Sequence, residues 1–385
     1  MSILGVFFCL LAGALAVTAL PARMSKGLDD VRGLREALSF NCPTIAPANT
    51  TTTSVHRLHA GDIKVIMAMG DSITAGFGMM GAHGNIEKDL LEYRGQSWLI
   101  GADNDAQTLA TFFKNYNSHL VGGSVGEHIA ELCWGNICPA KQHPEKDILN
   151  AAMSGAMMYD FVNGPGNQVD YLVKQLHDKE DIIDIEQDWK LLSILVGAND
   201  MCVECEDIPI EPSSIADYEK YFRITLQTLQ AKVPRLLVNV GQMFNVSQIY
   251  KLSLRAKSCE NIHRLLPEEC LCAFKHGEEG DKHRRVMDQT AVAYNRALEK
   301  VAAEFPRSDS FAVVTQPAMR DGNLSTFPLS FISTLDCFHP SLEAHQMMAK
   351  AMWNGLWTPR ANKTSTFEYL VPFVCPTSES IIPTD

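Results

Sequence analysis

Apolar positions follow two rhythms along this chain. Compact apolar runs stand at Lys64 to Met69, Asp147 to Ala152, Leu191 to Val196, Leu236 to Val240 and Phe311 to Thr315, and runs of that length predict buried strands. Between them, apolar residues recur at three- and four-residue steps over Val169 to His177, Ile215 to Ala231, Val286 to Phe305 and Ser341 to Leu356, the period of amphipathic helices. Strands that alternate with long helices predict a parallel sheet covered on both faces, an α/β chain built as a three-layer α/β/α sandwich. Ligands of such sheets sit beyond the carboxyl ends of the strands, and Ser72, Gly155 and Asn199 each follow a predicted strand end. No internal repeat is visible, which disfavours a solenoid.

The first segment has a different pattern. Ser2 to Leu20 is almost wholly apolar, Ala14-Leu15-Ala16 offers small residues for cleavage, and Pro21-Ala22-Arg23 follows. Residues 1–20 are therefore expected to be a secretory signal peptide, with an uncleaved signal anchor as the second reading because no cationic segment precedes the apolar one. Residues 21–54 then read as a polar lead-in, 55–360 as the main domain and 361–385 as a tail. No later stretch is apolar enough to span a bilayer, so no transmembrane anchor is expected in the mature chain. A net charge of -12 with a pI near 5.5 argues against a nucleic-acid partner. Nothing in the pattern sets an oligomeric state.

Eleven cysteines fit an exported chain. With Cys9 lost in the leader, an even number remains, and close spacing suggests local bridges from Cys133 to Cys138 and from Cys202 to Cys205. Cys42 is free to join any of Cys259, Cys270, Cys272, Cys337 or Cys375. A zinc or redox reading of Cys202-x-x-Cys205 is disfavoured, since Cys270-Leu271-Cys272 is too tightly spaced for a second ligand pair. Asn49, Asn245, Asn323 and Asn362 head glycosylation sequons.

The chemistry concentrates at two places. Ile63 to Gly70 runs into Asp71-Ser72, as when a strand delivers a serine to a surface, and Asp336-Cys337-Phe338-His339 lies near the other end. A serine hydroxyl is a poor nucleophile until an imidazole takes its proton and a third group orients that imidazole. Ser72, His339 and Asp336 suit those roles, although each is also ordinary turn or capping chemistry. An oxyanion needs donors as well. The Ser72 amide, the Gly155 amide and the Asn199 side chain are the candidates. Phe77, Met79, Met80, Met157 and Met158 are expected in the core, with an acyl-chain path as the alternative. His276 and His283 fall in the charged segment Lys275 to Arg285, expected to be a solvated loop.

Gly70-Asp71-Ser72, Gly155, Gly197-x-Asn199-Asp200 and Asp336-x-x-His339 resemble the blocks of the GDSL, or SGNH, hydrolase superfamily. Glu92-Tyr93-Arg94-Gly95-Gln96-Ser97-Trp98, Trp189 to Leu192, Asn199-Asp200-Met201-Cys202 with Cys205, and Val233-Pro234-Arg235 are similar to its animal phospholipase B branch. The resemblance covers about Val55 to Pro359 and departs at Ala198, where many relatives carry glycine. It implies the flavodoxin-like three-layer fold, Ser72, His339 and Asp336 as catalytic groups, and Ser72, Gly155 and Asn199 as oxyanion donors. It also implies hydrolysis of phospholipid and lysophospholipid acyl esters at a lipid interface, without cofactor or metal. The alternatives are an esterase for small acetyl or carbohydrate esters, and an inactive secreted lipid-binding protein.

Overall fold

In the computed structural model, residues 33, 36–45, 52–131, 141–164, 166–205, 214–265, 269–367 and 370–385 are described. The leader, Asn49, Cys133 and Cys138 lie outside these residues.

Four strands, β1 (Ile63–Gly70), β2 (Trp189–Leu195), β3 (Leu236–Gly241) and β4 (Phe311–Gln316), form one parallel sheet in the order β1-β2-β3-β4. β2 and β3 are buried at every position, as expected of strands covered on both faces. The helices that position the site are α1 (Ser72–Ala75), α2 (Leu109–Lys114), α3 (Gln168–His177), α4 (Ala198–Val203), α5 (Ile215–Lys232), α6 (Gln248–Ser253), α7 (Lys257–Leu265), α8 (Leu271–Phe274), α9 (Gly277–Ala302) and α10 (Leu342–Leu356). α5 packs against α3 and α9, and α10 packs against α2, giving the expected three layers.

Three local expectations are corrected. The run Asp147 to Ala152 is not a strand: it meets β1 through a single bridge, Ala68 to Asn150. Ile148 takes a left-handed backbone (φ 55°), and Asp147 and Asn150 turn their side chains into buried hydrogen bonds. The charged segment Lys275 to Arg285 is not a loop, because α9 begins at Gly277. Acidic Glu278 and Glu279 suit its first turn, and Lys275–Glu279 and Asp281–Arg284 pair at helical spacing. Cys202 and Cys205 do not bridge each other. They sit three apart, facing α8, and bond to Cys270 and Cys272 respectively.

Packing also reaches beyond residues 55–360. Leu38 and Cys42 are buried in the core, Phe40 stacks on Phe112 with ring centroids 4.6 Å apart, and Cys42 is bonded to Cys375. Cys259–Cys337 completes the four disulfides among the described residues. No helix among those residues is long and apolar enough to cross a membrane.

Candidate active site

β1 ends against α1 so tightly that a side chain at residue 70 has no room. A Cβ on Gly70 would lie 2.6 Å from the Leu195 carbonyl oxygen and 2.6 Å from Thr74 Oγ1. The chain then turns at Asp71, whose Oδ1 accepts the Ile73 amide at 3.0 Å and caps the helix that Ser72 opens. Burial pushes the Asp71 carboxyl up to about 7.

At the other end of the sequence, Asp336 and His339 lie in the loop that leads into α10. His339 is buried and its Nε2 is 2.8 Å from Ser72 Oγ, while its Nδ1 is 2.6 Å from Asp336 Oδ2. An ionised carboxylate only accepts, so Nδ1 carries a proton, and in the neutral imidazole Nε2 accepts from the serine hydroxyl. The second Asp336 oxygen accepts the amides of Phe338 (2.9 Å) and His339 (3.0 Å), fixing the carboxylate's direction. Burial opposes ionisation of Asp336, but the imidazole and these hydrogen bonds hold it below its usual value. Burial likewise works against the imidazolium, yet the charge and hydrogen bond of Asp336, with Glu269, raise His339 to about 9.

Glu269 is the member of this group that the sequence did not reveal. Its Oε1 lies 3.5 Å from His339 Nδ1, and burial, with the nearby charge of Asp336, pushes it up to about 7. It is brought in by its neighbour Cys270, which is bonded to Cys202 in α4, a contact between segments far apart in sequence. Glu269, Asp336 and His339 are the one group among the described residues compact enough to hold a cation. A cation there would displace the proton that Nδ1 shares with Asp336.

Gly155 takes a left-handed backbone (φ 81°) after Ser154, a conformation that favours glycine, and its amide makes no hydrogen bond to a described residue. Asn199, in the first turn of α4, donates from Nδ2 to the Ala156 carbonyl at 2.9 Å. That bond ties it to the Gly155 loop and leaves its second N–H free to donate. The following residue, Asp200, is fully buried, which raises its carboxyl to about 8, and Oδ1 accepts the Met158 amide.

An apolar cavity of about 80 Å³ opens beside His339. Phe244, Ile249, Leu252, Phe331, Met347 and Met348 line it, together with Ile73 and Ala198, neighbours of Ser72 and Asn199. Of the apolar residues flagged near Ser72 and Gly155, Met79, Met157 and Met158 are core residues, and Phe77 packs edge-on against the His339 ring. Asn323 and Asn362 are exposed and Asn245 is half-buried.

Fold and site together define a class: a parallel α/β hydrolase for carboxylic esters. The family model for GDSL-like lipase/acylhydrolase matches residues 66–352, and the chain belongs to that family. It is 31% identical over 360 residues to "Phospholipase B1, membrane-associated" of Rattus norvegicus, covering 90% of this chain and 23% of the relative. To the Homo sapiens protein of that name it is 29% identical over 371 residues, covering 92% of this chain and 24% of the relative. The chain thus spans about a quarter of the length of these curated relatives. Among solved structures it is similar to a carbohydrate esterase family 3 protein from Talaromyces cellulolyticus (TM-score 0.36, 15% identity, 75% of this chain and 93% of that one). It is also similar to an extracellular lipase from Streptomyces rimosus (TM-score 0.34, 17% identity, 73% and 94%). At these scores the fold rests on the strand order and helix packing of the chain itself.

Proposed function

We propose that this chain is an exported phospholipase B-like esterase that releases fatty acids from glycerophospholipids and lysophospholipids through an acyl-enzyme on Ser72. The observation that carries the substrate class is the apolar cavity beside His339. An acetyl or sugar ester gains little from such walls, whereas a long acyl chain buries its methylenes there, each contributing about 0.8 kcal/mol. The names of the curated relatives support the same class.

In this mechanism Ser72 Oγ attacks the ester carbonyl as His339 Nε2 takes its proton. Asp336 holds the imidazole in the required tautomer and stabilises its charged form. The oxyanion is met by the amides of Ser72 and Gly155 and by the Asn199 side chain. His339 then protonates the leaving glycerol oxygen, and a water deprotonated by the same nitrogen releases the fatty acid. Four disulfides suit an oxidising compartment and support export, and Asn245, Asn323 and Asn362 are the described positions proposed for glycosylation.

The test is incubation with a mixed-acyl phosphatidylcholine, read as free fatty acid and lysolipid by mass spectrometry. Wild type should release both acyl chains and Ser72→Ala should lose turnover by about 10⁴-fold or more. Turnover of acetyl esters but not phosphatidylcholine by the folded wild type would replace the lipid reading with a small-ester one.

A further inference from the structure

The segment Glu92 to Trp98, noticed in the sequence only as a resemblance, makes a set of bonds that the acyl-transfer chemistry does not itself call for. Arg94 and Glu92 are both fully buried. Arg94 donates from Nε and Nη2 to Glu92 Oε2 at 3.0 and 2.5 Å, and its Nε lies 3.3 Å from Asp147 Oδ1. His128 joins them: Nδ1 faces the Ile129 carbonyl at 2.8 Å and Nε2 faces Asp147 Oδ1 at 3.0 Å. Both ring nitrogens therefore meet acceptors, and the hydrogen bond to Asp147 favours the imidazolium against the cost of burial. A guanidinium and an imidazole face two carboxylates inside the fold. Such a group gains little net stability over apolar packing, because desolvating the charges offsets their attraction. Its value must lie in what its remaining atoms hold.

Those atoms reach two segments. On one side, Arg94 Nη1 donates to the Ala152 carbonyl at 2.9 Å, and Glu92 Oε1 accepts the Ser154 hydroxyl at 2.5 Å. Both contacts lie within three residues of Gly155. On the other side, Ser97 Oγ donates to the Thr74 carbonyl in α1 at 2.6 Å, and the Tyr93 amide donates to the Gly76 carbonyl at 2.9 Å. Asn150 Nδ2 donates to the same Thr74 carbonyl at 3.1 Å. One buried segment thus grips the nucleophile turn and the glycine loop together.

We infer that Glu92, Arg94 and Ser154 are positioning residues that fix the Gly155 loop at a set distance from Ser72. This rests on the reading that Ser72 is the nucleophile and Gly155 an oxyanion donor. A donor displaced by a fraction of an ångström weakens the transition state more than the bound substrate, so the effect belongs in kcat.

Ser154→Ala isolates the effect, because it removes one tether and leaves Glu92 paired with Arg94. In the secreted chain, kcat should fall about tenfold with KM within about twofold of wild type, and the melting temperature should drop by only a few degrees for the Glu92 oxygen left unpaired. Inhibition by an alkyl trifluoromethyl ketone, which forms a tetrahedral adduct, should weaken by the same factor as kcat/KM. Wild-type kcat in Ser154→Ala, or a loss confined to KM, would overturn the inference. Ser72→Ala is run alongside: if it keeps activity, the catalytic reading fails and the inference with it, whereas an inactive Ser72→Ala beside a wild-type Ser154→Ala removes the inference alone.

Discussion

The two sides of Ser72 are held by different physics. On the nucleophile side, α1 and the Gly155 loop are fixed by buried hydrogen bonds that Ser97, Asn150 and Arg94 donate and one that Glu92 accepts. On the base side covalent links are added to the hydrogen bonds: Cys337, between Asp336 and His339, is bonded to Cys259 in α7, and the segment of α4, which carries Asn199, is bonded to the segment of α8 through Cys202–Cys270 and Cys205–Cys272. The nucleophile side grows from strand ends that the sheet already places. The base loop has no strand beneath it, and Cys337 adopts a left-handed backbone (φ 56°) that costs a non-glycine residue on the order of 1 kcal/mol. A staple suits a loop that would otherwise relax, whereas polar bonds suffice where the main chain is fixed.

Three substitutions break or sharpen this contrast. The largest effect is expected at the seam, where Asn199 belongs to the stapled helix but bonds the Ala156 carbonyl of the polar side. Asn199→Ala should lower kcat about a hundredfold or more, measured as steady-state turnover, and near-wild-type turnover would take the residue out of the mechanism. Next is the staple itself. Replacing Cys259 and Cys337 together with serine should remove about 2–5 kcal/mol of unfolding free energy in a denaturant titration and lower activity by freeing the Asp336–His339 loop. Unchanged stability and turnover would mean that packing alone holds the base side.

The smallest effect is a displacement of the pH profile. His339 must be neutral to accept the serine proton, so kcat/KM rises with pH through its ionisation, which the surrounding carboxylates raise to about 9. Fewer anions near the ring mean a less favoured imidazolium. Glu269→Gln should therefore move the acid limb to lower pH, by about one unit or less. A limb that stays in place, or moves upward, would show that Glu269 does not bear on the imidazole.

The sequence made the scaffold readable wherever an apolar rhythm was long and regular. β1 to β4 and the helices α3, α5 and α10 stand within a few residues of their expected bounds, and Ser72, Asp336 and His339 meet as their types and order suggested. Misreadings fell where local pattern and tertiary role diverge. Lys275 to Arg285 looks like a loop because helical ion pairs leave no apolar stripe at its start. Cys202 and Cys205 invite a local bridge by proximity, but Cys202 in α4 and Cys205 just past its end bond to cysteines 68 and 67 residues away, respectively. Glu269 and the Arg94 network could not be deduced, because a buried charge shows its purpose only through partners distant in the chain.

Cys42–Cys375 carries a mechanical consequence. The bridge closes a span of 333 residues that contains the entire sheet and the candidate site. In covalent terms the catalytic body is a ring, with the remaining sequence attached at one point on its rim. Tension applied along the polypeptide from outside residues 42 and 375 would pass through a single sulfur–sulfur bond and bypass every strand within.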